Sequence, residues 1–286
     1  MARISDLRPS PIAGLWYSSN PDELGRQVDD YVNQAQLPEL DGEVIAVVAP
    51  HAGYRYSGRT AGYAFCSVYG MQFDLVTIVS PMHSMAPGPL MTSAHKAYDT
   101  PLGSVWIDRE ATDRLDNTLR QEYEMELVPV ANDNEHSLEL ELPFLQRVLA
   151  EDFKLLPVMV QTRSLEITRS LGLALGKMLK EEVKERSVLL VASTDLSHFY
   201  PESVAAELDN EMLRQIAAFS PEGVMDAEFS GTGSACGFVA VASVLWAASE
   251  LSANAVEIVH QSNSGEVTGD LSTVVGYGAA VVLKRP

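Results

Sequence analysis

Residues Ser187–His198 read SVLLVASTDLSH: an uncharged apolar run that stops at a Thr-Asp-Leu-Ser-His segment. A short continuous apolar run bounded by polar turn residues reads as a strand buried on both faces, the form that parallel sheets require. Two other stretches have the same form. Glu43–Gly53 reads EVIAVVAPHAG, and Asp74–His83 reads DLVTIVSPMH. Each is a core strand that runs into a histidine-bearing segment. In open parallel α/β sheets, ligands gather outside the carboxyl ends of the strands. If these strands are parallel, His51, His83, Asp195 and His198 meet on one rim although they are scattered along the chain. Each alone has a plainer reading. A histidine after a strand is commonly a hydrogen-bonded loop residue, and Asp195 could cap the next helix. The chain has 6 histidines, and three of them follow three core strands, so a shared site is the better explanation.

Outward from these strands the pattern alternates β-branched runs with longer helical ones. Helices are expected over Ser57–Tyr69, Arg109–Tyr123, Leu138–Leu149 with Pro143 near its start, Leu165–Glu185, Pro201–Phe219 and Cys236–Leu251. Further strands are expected over Glu126–Val130, Phe153–Val160, Ala255–Val259 and Thr273–Leu283, with two turn-rich segments between His83 and Arg109. Strand followed by helix, repeatedly, gives βαβ crossovers. The expected fold class is α/β: a single domain over residues 1–286, with a mostly parallel or mixed central sheet flanked by helices. The last two strands lie close in sequence and are expected to form an antiparallel edge or second sheet.

Composition narrows the function. The chain has 286 residues, 46% hydrophobic and 21% charged, which is ordinary for a globular protein and long enough to bury a large core. Acidic residues outnumber basic ones 39 to 20, for a formal charge of -19. That field repels polyanions, and no Lys/Arg run offsets it locally, so neither nucleic acid nor an anionic membrane surface is an expected partner. Two cysteines, Cys66 and Cys236, are too few for a disulfide scaffold and point to a reducing cytoplasm. The N-terminal stretch lacks an apolar core of signal-peptide length. The apolar part of Phe229–Ser249 is too short to span a bilayer and reads as a buried helix.

Three further groups have to be weighed. His136, in Asn134-Glu135-His136-Ser137, precedes a helix; it reads equally as a rim residue or as a surface residue beside a helix N-terminus. Cys236 lies in a small-residue loop, Gly231-Thr232-Gly233-Ser234-Ala235-Cys236-Gly237, that opens an apolar helix. Helix N-termini favour the thiolate, the metal-binding form, so Cys236 is a candidate ligand or nucleophile, with a packing role as the alternative. Cys66 sits within a helix and reads as a small hydrophobe. His95 and His260 read as structural. There is no Gly-x-x-x-x-Gly-Lys phosphate loop, dinucleotide fingerprint, His-Glu-x-x-His helix, Cys-x-x-Cys pair or Gly-x-Ser-x-Gly elbow.

Several longer motifs occur in a single order: Pro50-His51-Ala52-Gly53-Tyr54-x-Tyr56-Ser57-Gly58, Ser80-Pro81-Met82-His83, Glu135-His136-Ser137-Leu138-Glu139-x-x-Leu142-Pro143-Phe144-Leu145-Gln146, Ser193-Thr194-Asp195-Leu196-Ser197-His198 and Ala235-Cys236-Gly237. Together with Ala13-Gly14-Leu15-Trp16-Tyr17, this series resembles the Memo family, also called AmmeMemoRadiSam system protein B. That family is similar in fold to the class III extradiol, or LigB-like, dioxygenases. The resemblance implies a metal site at the strand ends. His51, His83 and Cys236 would be the metal ligands, Asp195 and His198 would lie beside the ion as ligands or acid/base groups, and His136 would line the same pocket. It implies Fe(II) first, with Cu(II) or Zn(II) as alternatives, and oxygen-dependent redox chemistry on an unidentified substrate. A binding module for phosphopeptides or acidic ligands and a zinc-dependent hydrolase are the rival readings. A small-molecule or peptide ligand and partner proteins of the AmmeMemoRadiSam system are the implied partners.

Overall fold

The computed structural model describes residues 5–286. In chain order its elements are β1 (Leu7–Arg8), α1 (Pro21–Gln34), β2 (Glu43–Ala49), α2 (Tyr54–Cys66), β3 (Leu75–Pro81), β4 (Leu90–Ser93), β5 (Ala97–Thr100), β6 (Gly103–Trp106), α3 (Arg109–Tyr123) and β7 (Val128–Val130). A 3₁₀ turn at Glu139–Glu141 follows. The remainder comprises α4 (Leu142–Val148), β8 (Lys154–Val160), α5 (Leu165–Glu182), β9 (Val188–Ser193), β10 (His198–Tyr200), α6 (Glu202–Ala217), α7 (Pro221–Ser230), α8 (Phe238–Glu250), β11 (Ala255–Asn263), α9 (Gly265–Thr268) and β12 (Val274–Lys284).

The three apolar runs are strands, and they are parallel. β2 pairs with β9, β9 with β3, and β3 with β8, all in one direction. β12 lies antiparallel on the other side of β2 and takes β11 along most of its length and β10 at its first two residues. Past β8 come β4, antiparallel, and β7. The result is a mixed sheet of 9 strands, with a separate sheet of 3 made by β1, β5 and β6. The last two strands are antiparallel, as expected, but β12 joins the main sheet rather than forming a second one.

Alternate residues along a strand face opposite ways, so the sheet carries a core on each side. Leu190 and Ala192 of β9, with Ala46 and Val48 of β2, pack in one core with side chains of α3, α5, α6, α7 and α8. Leu189 and Val191, with Val47 and Ala49, pack in the other with α1, α2 and α4. Helix α8 is buried without a break from Phe238 to Ala248. A Cβ on Gly172 of α5 would lie 2.6 Å from the Trp246 Cβ and 2.7 Å from the Ser243 carbonyl, so only glycine lets these two helices come so close. Among the described residues, no helix is long and apolar enough to cross a membrane.

The structure departs from expectation in the short and the polar elements. The two turn-rich segments hold β4, β5 and β6, each of 4 residues. Helices α1 and α7 were not expected. The single helix anticipated over Leu138–Leu149 divides into the 3₁₀ turn and α4, with Pro143 in the first turn of α4, where its missing N–H costs nothing.

Candidate metal centre

The parallel core delivers the site. His51 lies two residues beyond β2, His83 two beyond β3, and Asp195 two beyond β9, so all three emerge on the same rim. Backbone bonds hold the loops together. Thr194 N–H donates to the Ala49 carbonyl at 2.8 Å, and Cys236 N–H to the Asp195 carbonyl at 3.2 Å. The cleft so formed is lined by His51, His83, His136, His198 and Asp195, with Trp16, Tyr56, Phe199 and Tyr277 among its other walls.

One ring nitrogen from each of His51, His83 and His136 lies within 4.8 Å of the other two. The His83 and His136 rings are stacked, with centroids 4.7 Å apart, and His51 meets both edge-on at 5.3 and 5.7 Å. Cys236 Sγ is 3.2 Å from His51 Nε2. The tightest group is thus three imidazoles with the sulfur beside one of them. His136 sits within the group itself, while Cys236 also borders a smaller cavity shared with His83 and Arg163.

The imidazoles of His51 and His83 are each held through Nδ1, which leaves Nε2 as the free nitrogen. Ser193 donates to Glu141 Oε1, and its Oγ lies 2.8 Å from His51 Nδ1, so Oγ accepts from that ring. Glu135 does the same for His83, its Oε1 lying 3.0 Å from Nδ1; the same oxygen stands 3.3 Å from His136 Nδ1 as a charge contact rather than a hydrogen bond. Glu135 also accepts the backbone N–H groups of His83, His136 and Ser137. Burial alone would push this carboxyl up, but the His83 ring and these donors hold it well below the usual carboxylate range. Glu141, fully buried behind Ser193, is pushed well above that range by burial, and its Oε2 has no partner among the described residues.

The loop bearing Glu135 and His136 is clamped from the N-terminal segment. Buried Arg8 donates to Glu139 Oε2 at 2.6 Å, to Asp133 Oδ1 at 2.7 Å and to the Glu135 carbonyl at 2.5 Å. Tyr17 donates to Glu139 Oε1 at 2.6 Å. This brings Trp16 against His136, ring centroids 4.2 Å apart.

Burial and the neighbouring rings hold His51 well below the ordinary histidine value, and burial takes His136 down to about 4. Both are therefore neutral at pH 7, the form that binds metal. His83 is raised: burial lowers it, but Glu135 more than offsets that. Asp195 accepts the His51 backbone N–H at 2.8 Å, yet burial pushes its carboxyl up to about 7. His198 donates Nδ1–H to the Leu196 carbonyl at 2.9 Å, so Leu196 rather than Asp195 orients it; its Nε2 stands 4.0 Å from Asp195 Oδ2. Cys236 departs from the helix-terminus expectation. Burial and the nearby Asp195 push its thiol up; the residue is half-buried and lies before the first turn of α8, with only Gly237 between. A cation beside it would reverse that.

Glu135, Ser193, Glu141 and Arg8 were not among the residues singled out from the sequence. Glu135 stood next to His136 in a quoted motif, but its main partner, His83, is 52 residues away, and no spacing rule links them. His95 and His260 lie outside the cleft. His95 donates Nδ1–H to the Ser5 carbonyl and accepts from Asn132 N–H, and His260 stacks on Tyr63.

The donor set fits a metal ion. Three imidazoles, two of them tied through Nδ1, a sulfur within reach and two buried carboxylates form an arrangement that a cation completes. Fold and site together define an α/β protein with a histidine-rich, metal-ready cleft at the carboxyl ends of its parallel strands. Residues 8–281 match the family described as Memo-like protein, and the chain belongs to that family. It is 32% identical over 278 residues to a MEMO1 family protein of Nitrosopumilus maritimus, covering 96% of this chain and 98% of that one. It is 33% identical over 287 residues to one of Methanopyrus kandleri (97% and 99%) and 30% identical over 276 residues to one of Methanosarcina barkeri (96% and 100%).

Proposed function

We propose that the cleft holds a single redox-active metal ion, iron first and copper second, and that the protein carries out oxygen-dependent oxidase or oxygenase chemistry on a small molecule. The observation that carries this reading is the cluster of three imidazoles from separate loops, two of them held through Nδ1, with a cysteine sulfur 3.2 Å from one of them. His51 and His83 would hold the ion with His136, Cys236 or both. When bound, such an ion supplies electron transfer and open positions for oxygen and substrate. His198 acts as general base. Its Nδ1–H is fixed on Leu196, its Nε2 is the proton acceptor, and burial keeps it below the ordinary histidine value and neutral at pH 7. Asp195 holds the His51 loop through its backbone N–H and places a carboxyl beside His198.

The test begins with elemental analysis of protein purified without chelators or added metal. Anaerobic reconstitution with Fe(II), followed by oxygen uptake, then separates redox chemistry from mere binding. His51→Ala and Cys236→Ser should each lower metal content sharply, and Cys66→Ser should not. The three-imidazole group also favours a second reading, since three histidines plus water form a hydrolytic zinc site. Tight zinc with no oxygen uptake would replace the redox reading with that one.

A further inference from the structure

We propose that the cleft takes an uncharged ligand with an aromatic or aliphatic body, and that Phe199 is placed to receive that body. The proposal rests on the reading of the histidine floor as the reacting end. The cavity is about 600 Å³, within the range that buries a small organic ligand. Besides the imidazoles and Asp195, its polar side chains are the hydroxyls of Tyr56, Ser264, Thr268 and Tyr277. Its walls are formed by Leu15, Trp16, Tyr56 and Phe199. Among the described residues that line it, none is Lys or Arg. A phosphate or carboxylate is ordinarily met by such cations, whereas here the floor presents an acidic side chain. The observations therefore favour a neutral molecule over a phosphopeptide.

Phe199 supplies the second observation. Its side chain is 73% exposed and its φ is 63°, a left-handed conformation that bulky L-residues rarely adopt. The pairing of β10 with β12 is irregular between His198 and Tyr200, and bulges of this kind re-aim side chains beside functional sites. Leu15 on the cleft wall is likewise 80% exposed. The strain at Phe199 is not offset by burying its ring in either core. What it achieves is a phenyl group on the cleft wall, beside His198, with ring centroids 5.7 Å apart.

Calorimetric titration of the full chain, as purified and after chelation, tests this with two probes that differ in one group: 4-phenylbutan-1-ol and 4-phenylbutyl phosphate. The alcohol should bind, and in the chelated protein, where no ion meets the phosphate, the ester should bind at least about tenfold more weakly. Phe199→Gly should weaken the alcohol by up to about tenfold, through loss of the aromatic contact. It should leave the thermal midpoint unchanged or higher, because glycine accepts the left-handed backbone. Equal or tighter binding of the ester by the chelated protein, no binding of the alcohol at millimolar concentration, or an unchanged alcohol affinity in Phe199→Gly would overturn the proposal. Metal content of the same samples keeps the two readings apart. Alcohol binding in a protein that takes up no metal supports this inference and removes the metal reading; a metal-loaded protein that ignores the alcohol does the reverse.

Discussion

The Glu135 carboxylate accepts from the ring and backbone N–H of His83 and from the backbone N–H groups of His136 and Ser137. A single side chain thus aims the His83 imidazole and fixes the backbone that carries His136. Carboxylates in this position orient ligating histidines and raise their basicity, and losing one costs about 10–100-fold in affinity. Glu135→Gln should therefore reduce metal affinity by about that factor, read by competition against a chelator of known affinity; wild-type affinity would remove Glu135 from this role. Cys236 permits a sharper test. Its thiol is held protonated at neutral pH by burial and Asp195, while His51 and His136 are already neutral there. If the sulfur ligates, zinc loading at pH 7 in weak buffer should release a proton that Cys236→Ser does not release. Identical release would mean that the sulfur stays out of the coordination sphere. At this scale the histidines and Asp195 were legible because each directly follows an apolar run. Their supports were not, since Ser193 and Glu141 act across 52 residues of chain and look like ordinary core and helix residues in one dimension.

Helix α3 begins at Asp108, which accepts the Ala111 N–H at 2.9 Å and receives Arg186 at 2.5 Å. Burial would push this carboxyl up, but the Ala111 N–H and Arg186 hold it below its ordinary value. A depressed carboxylate contributes stability above its unfolded pKa of about 3.9 and loses that contribution as pH falls through the folded value. Asp108→Ala should accordingly cost about 0.5–2 kcal/mol at pH 7 by urea unfolding, and the gap from wild type should close in acid. A gap that stays constant down to pH 2 would rule out the charge. The core strands could be read because a parallel sheet demands uninterrupted apolar runs. Strands β5 (AYDT) and β6 (GSVW) are short and half polar, so they looked like turns. Helix α1 does carry a signal in the sequence: Asn20 as cap, Pro21 at its start, and Leu24, Val28 and Val32 four residues apart.

The whole molecule carries a formal charge of -19 and buries two acidic side chains, Glu135 and Asp195, beside its imidazoles. An ion that binds only the folded chain stabilises it by mass action, about 2.7 kcal/mol at a hundred times its dissociation constant. Adding Fe(II) or Zn(II) should raise the thermal midpoint by several degrees, at roughly 2–4 °C per kcal/mol. A chelator should reverse the rise, and His51→Ala should abolish it; an unshifted midpoint would mean that the cleft does not hold the ion. The convergence of the strand ends followed from position alone. The antiparallel pairing of β12 with β2 and of β4 with β8 did not, because strand direction depends on crossovers that no local run encodes.

Strand β2 pairs with β9 on one side and β12 on the other, and those neighbours begin at Val188 and Val274. During synthesis β2 therefore leaves the ribosome with both edges bare, and the histidine after it waits for more than two hundred residues before its strand is flanked. The cleft that would seat an ion is complete only once β9 and β12 are in place. A chain that stops short of Val274 should come off the column empty.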